Sequence, residues 1–409
     1  MYDLGIIGGG PAGYTAALHA TSNGKKVVLF ELDKVGGTCL NRGCIPTKAI
    51  LYSAEVFEEM KNAENLGLSA ENVSFDYEKV VERKDKIVEK LRKGLELSLK
   101  NHKVEIVNAN AEISAKNQIK ANGEIYECKE ILIATGAKPR EFKGMEFDGE
   151  FVLSSDDVLN LKKLPKSIVV VGSGAIGIEW TRIFAAFGVE VTIVELAENL
   201  LPVADIEVSK RIERIFKTKK IKIYKSTGVE KIENKNVYLT NGEILTPEMV
   251  LVAIGREVCE LDNPHNYNCI GDACGEIQLA HFASKQAIEF VEGIKFDKTL
   301  VPSVVYGNPE IAWIGKREQD LEEGSFKKSM LLVSALGKSH CDGATEGFIK
   351  LLSQNDEIVG VHIVSKEASA LIQQMVIAIQ NKISISKLKE ICYAHPTYSE
   401  GIYESLFNL

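Results

Sequence analysis

Eight cysteines in 409 residues are too few for a disulfide framework, because scaffolds that depend on such bonds are far denser in cysteine and the cytosol keeps thiols reduced. A disulfide in this chain is expected to be catalytic. No C-x-x-C and no H-E-x-x-H occurs, so no metal site is expected. Long apolar runs are missing as well. The longest stretches, such as Ile168 to Ile178, are interrupted by glycine and too short to span a bilayer. No cationic segment followed by an apolar run precedes Leu4-Gly5-Ile6-Ile7, and neither a cleaved signal nor a membrane partner is expected. A cytoplasmic location follows from that reading. Basic residues are outnumbered, 49 Lys plus Arg against 57 Asp plus Glu for a net charge of -8, and no basic stripe offsets the balance. A nucleic-acid partner is therefore not expected.

What is present begins with length: 409 residues exceed what one hydrophobic core usually supports, so two or three domains are expected. The composition, 45% hydrophobic and 26% charged, is that of an ordinary globular protein. The chain also repeats itself. DLGIIGGGPAGYTAALHATSNGKKVVLFE recurs in outline as SIVVVGSGAIGIEWTRIFAAFGVEVTIVE. Each copy predicts a strand, a glycine-rich turn, a helix and a second strand ending in a carboxylate. Gly8, Gly10 and Gly13 lead to Glu31, and Gly172, Gly174 and Gly177 lead to Glu195. A lone G-x-G-x-x-G is weak evidence, but this context points to dinucleotide binding. Glycine lets the backbone approach a pyrophosphate, whose charge then rests on the free N–H groups of the helix start. The carboxylate accepts hydrogen bonds from a ribose 2′-OH. Glu195 would repel a 2′-phosphate, and Leu196-Ala197-Glu198 supplies no arginine, so the second site is expected to take NAD and not NADP.

Two further echoes, ILIATGAKP at 131–139 and VLVAIGREV at 250–258, each follow a stretch rich in Asn, Lys and Glu and are expected to close their dinucleotide domains. A helix is expected from about Leu279 to Val291. The remainder reads as the strands VPSVVY, GFIKLLS and EIVGVHIVS followed by helices, which predicts a third, α+β unit.

Between the first repeat and the next helix lies GGTCLNRGCIPTK, with Cys39 and Cys44 five positions apart. On a regular helix such a pair stands roughly 140° apart around the axis and about 7.5 Å along it, outside disulfide reach. Bonding requires a distorted turn, for which Gly43 and Pro46 supply the means. Cys269 and Cys274 share the spacing, so spacing alone carries little weight. The first pair is set apart by the Gly-Gly turn before it and by Lys48 after it, since a nearby cation lowers a thiol pKa as exchange chemistry requires. In AHPTYSEG, Pro396 fixes a turn directly after His395, and Glu400 is near enough in sequence to orient one ring nitrogen, leaving the other as a general base. His281, in LAHFAS, is read as packing or a cofactor contact, and His19 as incidental.

Taken together, GGGPAG, GGTCLNRGCIPTK, ATG, GSGAIGIE, IGDACG and AHPTYSEG resemble the flavoprotein disulfide reductases along nearly the whole chain. The resemblance implies an α/β fold of two Rossmann-like domains, FAD-binding at 1–138 with 265–295 and NAD-binding at 139–264, plus a C-terminal α+β dimerisation domain at 296–409. It implies that the first fingerprint binds FAD, with Gly37, Thr38, Thr135, Gly136, Gly271, Asp272 and Ala280 as further cofactor contacts. Asp272 would hold the ribityl chain, and Gly255 would lie with the NAD site. By the same likeness Cys44 faces the flavin while Cys39 exchanges with substrate, and Lys48 pairs with Glu179 near the flavin N5. Read without the family, Lys48 and Glu179 are a surface cation and a helix carboxylate. His395 and Glu400 would act on the cysteines of the partner subunit, so a homodimer is implied.

Glutathione-type and mercuric-type relatives carry similar cysteine motifs. NADP users are expected to have arginine where Glu195 stands, and mercuric types to end in a cysteine pair, whereas this chain ends Ser405-Leu406-Phe407-Asn408-Leu409. A dihydrolipoyl group fits best, presented by a lipoyl-bearing protein of a 2-oxo acid dehydrogenase or glycine cleavage complex. A non-catalytic flavoprotein subunit is the rival of a different class, but a scaffold has no need of a base. The stretch from Arg256 to Ile270 is short for the family, and His265-Asn266-Tyr267-Asn268 makes a poor buried strand. The second domain is expected to lack an edge there. Loops around 320 to 345 look trimmed, and Tyr393 stands where the family often has another histidine.

Overall fold

The computed structural model describes residues 1–409. The first repeat folds as the strand Tyr2–Ile7, the helix Pro11–Ser22 and the strand Val27–Glu31. The two strands run parallel, from Leu4 opposite Val27 to Ile7 opposite Phe30. Parallel strands are covered on both faces and so read as unbroken apolar runs; Val27 to Glu31 is buried at every position. Glu105–Asn108 extends the sheet on one side. On the other, the second half of the strand Glu124–Ile133 lies along Tyr2–Ile7. The first half of that long strand pairs antiparallel with Gln118–Ala121, which pairs in turn with Ala111–Ala115. The Asn- and Lys-rich stretch is therefore a three-stranded meander. Ala12, Ala16, Ala17 and Ala20 form a flat face on the first helix, and Ala283 and Ala287 of the helix Ala280–Glu292 pack onto it.

The second repeat builds a five-stranded sheet in the order Lys222–Tyr224, Glu190–Val194, Ser167–Val171, Met249–Val252 and Val152–Leu153. All its pairings are parallel. The chain leaves the first domain along Ala137–Pro139 and returns along Arg256–Val258, and these two short strands pair antiparallel. After Val258 no strand joins the second sheet. The next pairing is Asn268–Cys269, parallel to Leu132–Ile133 of the first sheet. The poor strand expected at His265–Asn268 is thus a two-residue bridge, and side chains hold the re-entry. Asn263 exchanges hydrogen bonds of 2.9 Å with the backbone of Tyr267. The Tyr267 hydroxyl in turn accepts from the Asn117 N–H at 2.6 Å.

The third unit is an antiparallel sheet ordered Ser303–Val305, Glu310–Gly315, Glu357–Ser365, Phe348–Gln354 and Lys327–Leu332. Two of these strands, Glu310–Gly315 and Lys327–Leu332, were not among those read from sequence. The helices Ala368–Gln380 and Glu400–Leu406 cover it around Ile349, Val361, Ile363, Leu371, Met375 and Ile402. The fold is therefore α/β with two Rossmann-like units and a C-terminal α+β unit. No helix is long and apolar enough to cross a membrane.

The largest apolar cluster lies where the three units meet. It joins Ile50 and Leu51 of the helix Cys44–Lys61, Trp180 and Phe184 of the helix Ala175–Ala186, and Val305, Ile311 and Phe348 of the last unit. Beside it sits a buried ionic cluster. Lys350 Nζ reaches Asp205 at 2.7 Å and Glu318 at 2.6 Å, with Lys350 and Asp205 both fully enclosed. Asp205 also caps the helix Ile206–Thr218 through the Glu207 N–H. Burial holds the adjacent His362 down to about 4, so its ring is neutral at neutral pH. Removing one member of such a cluster strands a carboxylate without its counter-charge. Lys350→Met is expected to lower unfolding free energy by about 3–5 kcal/mol, measured by urea denaturation. A loss under about 1 kcal/mol would mean that the cluster does not hold the second and third units together.

Candidate active site

The glycine turns come first because they fix where a dinucleotide can lie. A Cβ on Gly8 would stand 2.2 Å from the Ala134 carbonyl oxygen, and one on Gly172 would stand 2.6 Å from that of Ala253. The two ATG and AIG echoes thus press against the first glycine of their own fingerprints. A Cβ on Gly13 would lie 1.8 Å from Gly8 O, and one on Gly177 2.1 Å from Gly172 O. Each helix can therefore pack this close to its strand only through glycine. No side chain caps the starts at Gly10 and Gly174, whose N–H groups remain free for an anion.

The carboxylates do more than the sequence suggested. Glu31 accepts the Gly9 N–H at 2.7 Å and the Asp33 N–H at 2.9 Å. Glu195 accepts the Ser173 N–H at 2.7 Å, the Ser173 hydroxyl at 2.6 Å and the Ala197 N–H at 2.8 Å. Each carboxylate clamps its own turn while keeping part of its accepting capacity.

One cavity of roughly 930 Å³ runs from the first fingerprint to the second helix, lined by Gly8 to Ala12, Glu31, Cys39, Cys44, Lys48 and Glu179 among others. Gly37, Thr38, Thr135, Gly136, Gly271, Asp272, Ala280 and His281 line it too. A Cβ on Gly37, at φ +54°, would lie 2.6 Å from Gly10 Cα, so the approach of these two loops leaves no room for a side chain. The Thr135 hydroxyl donates to the Cys259 carbonyl at 2.7 Å, and Arg256 donates to Thr38 Oγ1 at 3.3 Å and to the Ala137 carbonyl at 2.6 Å. Burial pushes Asp272 above the ordinary carboxyl range, with Arg256 opposing. Gly172, Gly174, Gly177, Glu195 and Gly255 lie outside this cavity, at the second fingerprint.

The two cysteines are separated by a break. The helix Gly37–Arg42 ends, Gly43 takes φ −145° and ψ −110°, and a new helix starts at Cys44. The break removes the helical offset, both cysteines line the cavity, and each thiol shifts the titration of the other. Donation from Cys39 holds Cys44 below the usual thiol range; burial opposes this, and Lys48 adds to it. The positive end of an 18-residue helix favours the same thiolate.

Lys48 Nζ donates to both oxygens of Glu179, at 2.8 and 2.7 Å. Tyr306, which sequence reading had placed at the end of a strand, completes the arrangement. Its N–H donates to Glu179 Oε1 at 3.0 Å, and its ring lies 4.7 Å from Lys48 Nζ. Its carbonyl accepts from Arg182 Nη1 at 2.9 Å, and the same nitrogen donates to Pro309 O at 2.8 Å. Burial lowers Arg182 to about 10, so it stays cationic.

His395 and Glu400 lie elsewhere. Glu400 Oε1 meets His395 Nδ1 at 2.7 Å, and its other oxygen accepts the Thr397 N–H at 2.8 Å. That backbone bond, then the imidazole, hold Glu400 below the usual carboxylate range. The His395 side chain is 76% exposed and does not line the cavity of its own chain. His281 meets the Pro302 carbonyl at 2.9 Å, and His19 pairs with Glu292. Tyr393 leans on Tyr403 with ring centroids 4.9 Å apart.

This fold and site define a class. Residues 2–266 match the pyridine nucleotide-disulphide oxidoreductase family, and residues 301–406 match the dimerisation domain of the same family. The chain belongs to the pyridine nucleotide-disulphide oxidoreductases. Among particular relatives, it is 34% identical to a dihydrolipoyl dehydrogenase of Bacillus subtilis (strain 168), over 99% of this chain and 97% of that protein. It is also 34% identical to the mitochondrial dihydrolipoyl dehydrogenase of Sus scrofa, over 98% of this chain and 89% of that one. Among solved structures, LpdA of Mycobacterium tuberculosis superposes with a TM-score of 0.91 at 24% identity, covering 99% of this chain and 98% of that one. A Cu(II) complex of the HOCl-induced flavoprotein disulfide reductase RclA of Escherichia coli gives 0.87 at 25% identity, covering 99% of both chains.

The charges around Cys44 make opposite demands that can be read separately. In a Cys39→Ser background, Lys48→Met is expected to raise the pH midpoint of Cys44 alkylation, and Glu179→Gln to lower it. Unchanged midpoints in both would show that neither charge reaches the sulfur.

Proposed function

We propose that this protein is an FAD-containing, NAD-linked dihydrolipoamide dehydrogenase, which oxidises dihydrolipoyl groups to lipoyl through a Cys39–Cys44 disulfide. The observation that carries the reading is the single cavity in which the dithiol, the Lys48–Glu179 pair and the first glycine turn all open beside the second Rossmann helix. The uncapped helix starts and the side-chain-free approach of Gly10 and Gly37 suit a pyrophosphate. Gly8, Gly10, Gly13, Glu31, Gly37, Thr38, Thr135, Gly136, Gly271, Asp272 and Ala280 would hold FAD; Gly172, Gly174, Gly177, Glu195 and Gly255 would hold NAD. In domain terms, residues 1–138 with 265–295 bind FAD, 139–264 bind NAD, and 296–409 form the dimer.

In the oxidised protein Cys39 and Cys44 are bonded. His395, its Nδ1 held by Glu400, takes a proton from one dihydrolipoyl thiol. The resulting thiolate attacks Cys39, the Cys39–Cys44 bond breaks, and Cys44 leaves as a thiolate favoured by Lys48 and the helix start. The second substrate thiol displaces Cys39 and closes the lipoyl ring, so the protein gains the two electrons that the substrate loses. Bound FAD supplies the two-electron link from the dithiol to NAD. Glu179 and Tyr306 keep Lys48 in place beside Cys44.

His395 would act from a second subunit, a reading supported by its 76% exposed side chain and its absence from the cavity lining of its own chain. The C-terminal unit carries the exposed apolar side chains Ile377, Ile391 and Phe407, which suit burial in a homodimer. The further partner is a lipoyl-bearing protein of a 2-oxo acid dehydrogenase or glycine cleavage complex, met in the cytoplasm.

Cys44→Ser is expected to keep FAD and lose turnover with dihydrolipoamide, and His395→Gln to lower turnover by about 10²- to 10⁴-fold. Reassembling these two variants together gives mixed dimers with one intact site. Activity is expected to return to about a quarter of wild type if His395 acts across the interface. No recovery would place the base in its own chain. For the coenzyme, kcat/KM with NAD is expected to exceed that with NADP by at least about 100-fold; preference for glutathione disulfide as acceptor with NADPH as donor would overturn the assignment.

A further inference from the structure

The second C-x-x-x-x-C, Cys269 and Cys274, has no part in the reaction above. Cys269 ends the bridge strand Asn268–Cys269, and Cys274 ends the 3-10 turn Gly271–Cys274, after which Gly275 reverses the chain at φ +70°. This path replaces the helical offset that would part them. Cys274 Sγ donates to the Cys269 carbonyl oxygen at 2.8 Å, and the two thiols shift one another's titration, Cys269 downward and Cys274 upward. The same reciprocal shift links Cys39 and Cys44. Both thiols are half-buried.

We propose that Cys269 and Cys274 form a second oxidisable dithiol, which closes a disulfide across the turn carrying Asp272 by exchange with a small disulfide of the glutathione class. The Cys269 thiolate attacks one sulfur of the small disulfide, whose S–S bond breaks, and the first small thiolate leaves and takes up a proton. Cys274 then gives its proton to the second departing thiolate and bonds to Cys269. The protein loses two electrons and two protons, and the small disulfide becomes two thiols. Cys269 is the attacking group because donation from Cys274 holds its thiol below the usual range. The ring encloses Ile270 to Ala273, a turn already pinned by the Gly271 N–H donating to Gln286 Oε1 at 2.7 Å. Closure fixes this turn further and removes the freedom of Cys274 to swing away from the bridge strand.

The inference does not rest on the substrate assigned above, since its readout is a bond and not turnover. Cleavage after glutamate releases Leu261–Glu276, which holds Cys269 and Cys274 and no other cysteine. The wild-type holoenzyme is equilibrated over a series of glutathione to glutathione disulfide ratios, quenched with an alkylating agent, digested and weighed without reduction. As the ratio turns oxidising, this peptide is expected to lose about 2 Da and to escape alkylation at both positions, reversibly with dithiothreitol. The peptide holding Cys39 and Cys44 serves as the internal reference. Alkylation of both Cys269 and Cys274 throughout, glutathione on one of them alone, or a link to Cys128 or Cys259 would each overturn the proposal.

Discussion

Glu179 is 4% exposed, and its carboxylate is met from both of the other units of the chain. It belongs to the second Rossmann helix, takes both its ionic bonds from Lys48 of the first unit, and accepts the Tyr306 N–H from the third. A buried carboxylate without such partners would be costly, so the three units cannot drift apart without exposing or stranding it. The largest apolar cluster surrounds the same junction and supplies the non-directional attraction that holds it closed. Arg182 lies one turn further along the helix of Glu179 and grips the other side of the Tyr306 peptide. The position of Lys48 beside Cys44 is thereby set by contacts that originate in every part of the molecule.

That convergence explains what could and could not be read from the sequence. The two fingerprints, the cysteine motif and the His395–Glu400 contact are local: their residues lie within one turn or one βαβ unit, and spacing carries the geometry. The partners of Lys48 and Thr38 are not local. Tyr306 is 127 positions from Glu179, and Arg256 is 218 from Thr38. No periodicity encodes contacts at that range. Likewise, Glu310–Gly315 is nearly buried on both faces and lacks the alternation of a half-exposed strand, whereas Lys327–Leu332 is an edge whose lysines disguise it.

Duplication gives the two halves the same clamp but not the same use. In each, a carboxylate at the end of the second strand accepts backbone N–H groups from its own glycine turn. Glu195 takes one donor more than Glu31, the Ser173 hydroxyl, a group that Gly9 cannot offer in the first copy. The first turn instead faces Gly37, and that near-contact of two glycines continues directly into the helix that ends before Cys44. The first half thus couples its nucleotide turn to a dithiol within a single loop, and the second half has no counterpart.

The short return from the second domain sharpens the place of Cys269. With no extra strand between Val258 and Asn268, the chain re-enters the first sheet by only two residues, beside Leu132 and Ile133. Ladder bonds this few constrain the register weakly, so the turn that follows depends on other ties: Asn263 on Tyr267 before it, and Gln286 on Gly271 after it. Between Cys269 and Cys274 the turn is held by the Ile270 N–H on Ile133, the Gly271 N–H on Gln286 and the Cys274 thiol on the Cys269 carbonyl, with no strand ladder of its own. A longer return with a full strand would fix this turn through its own hydrogen bonds. Here the two cysteines bracket the turn, where a covalent bond would add a constraint that the missing strand does not supply.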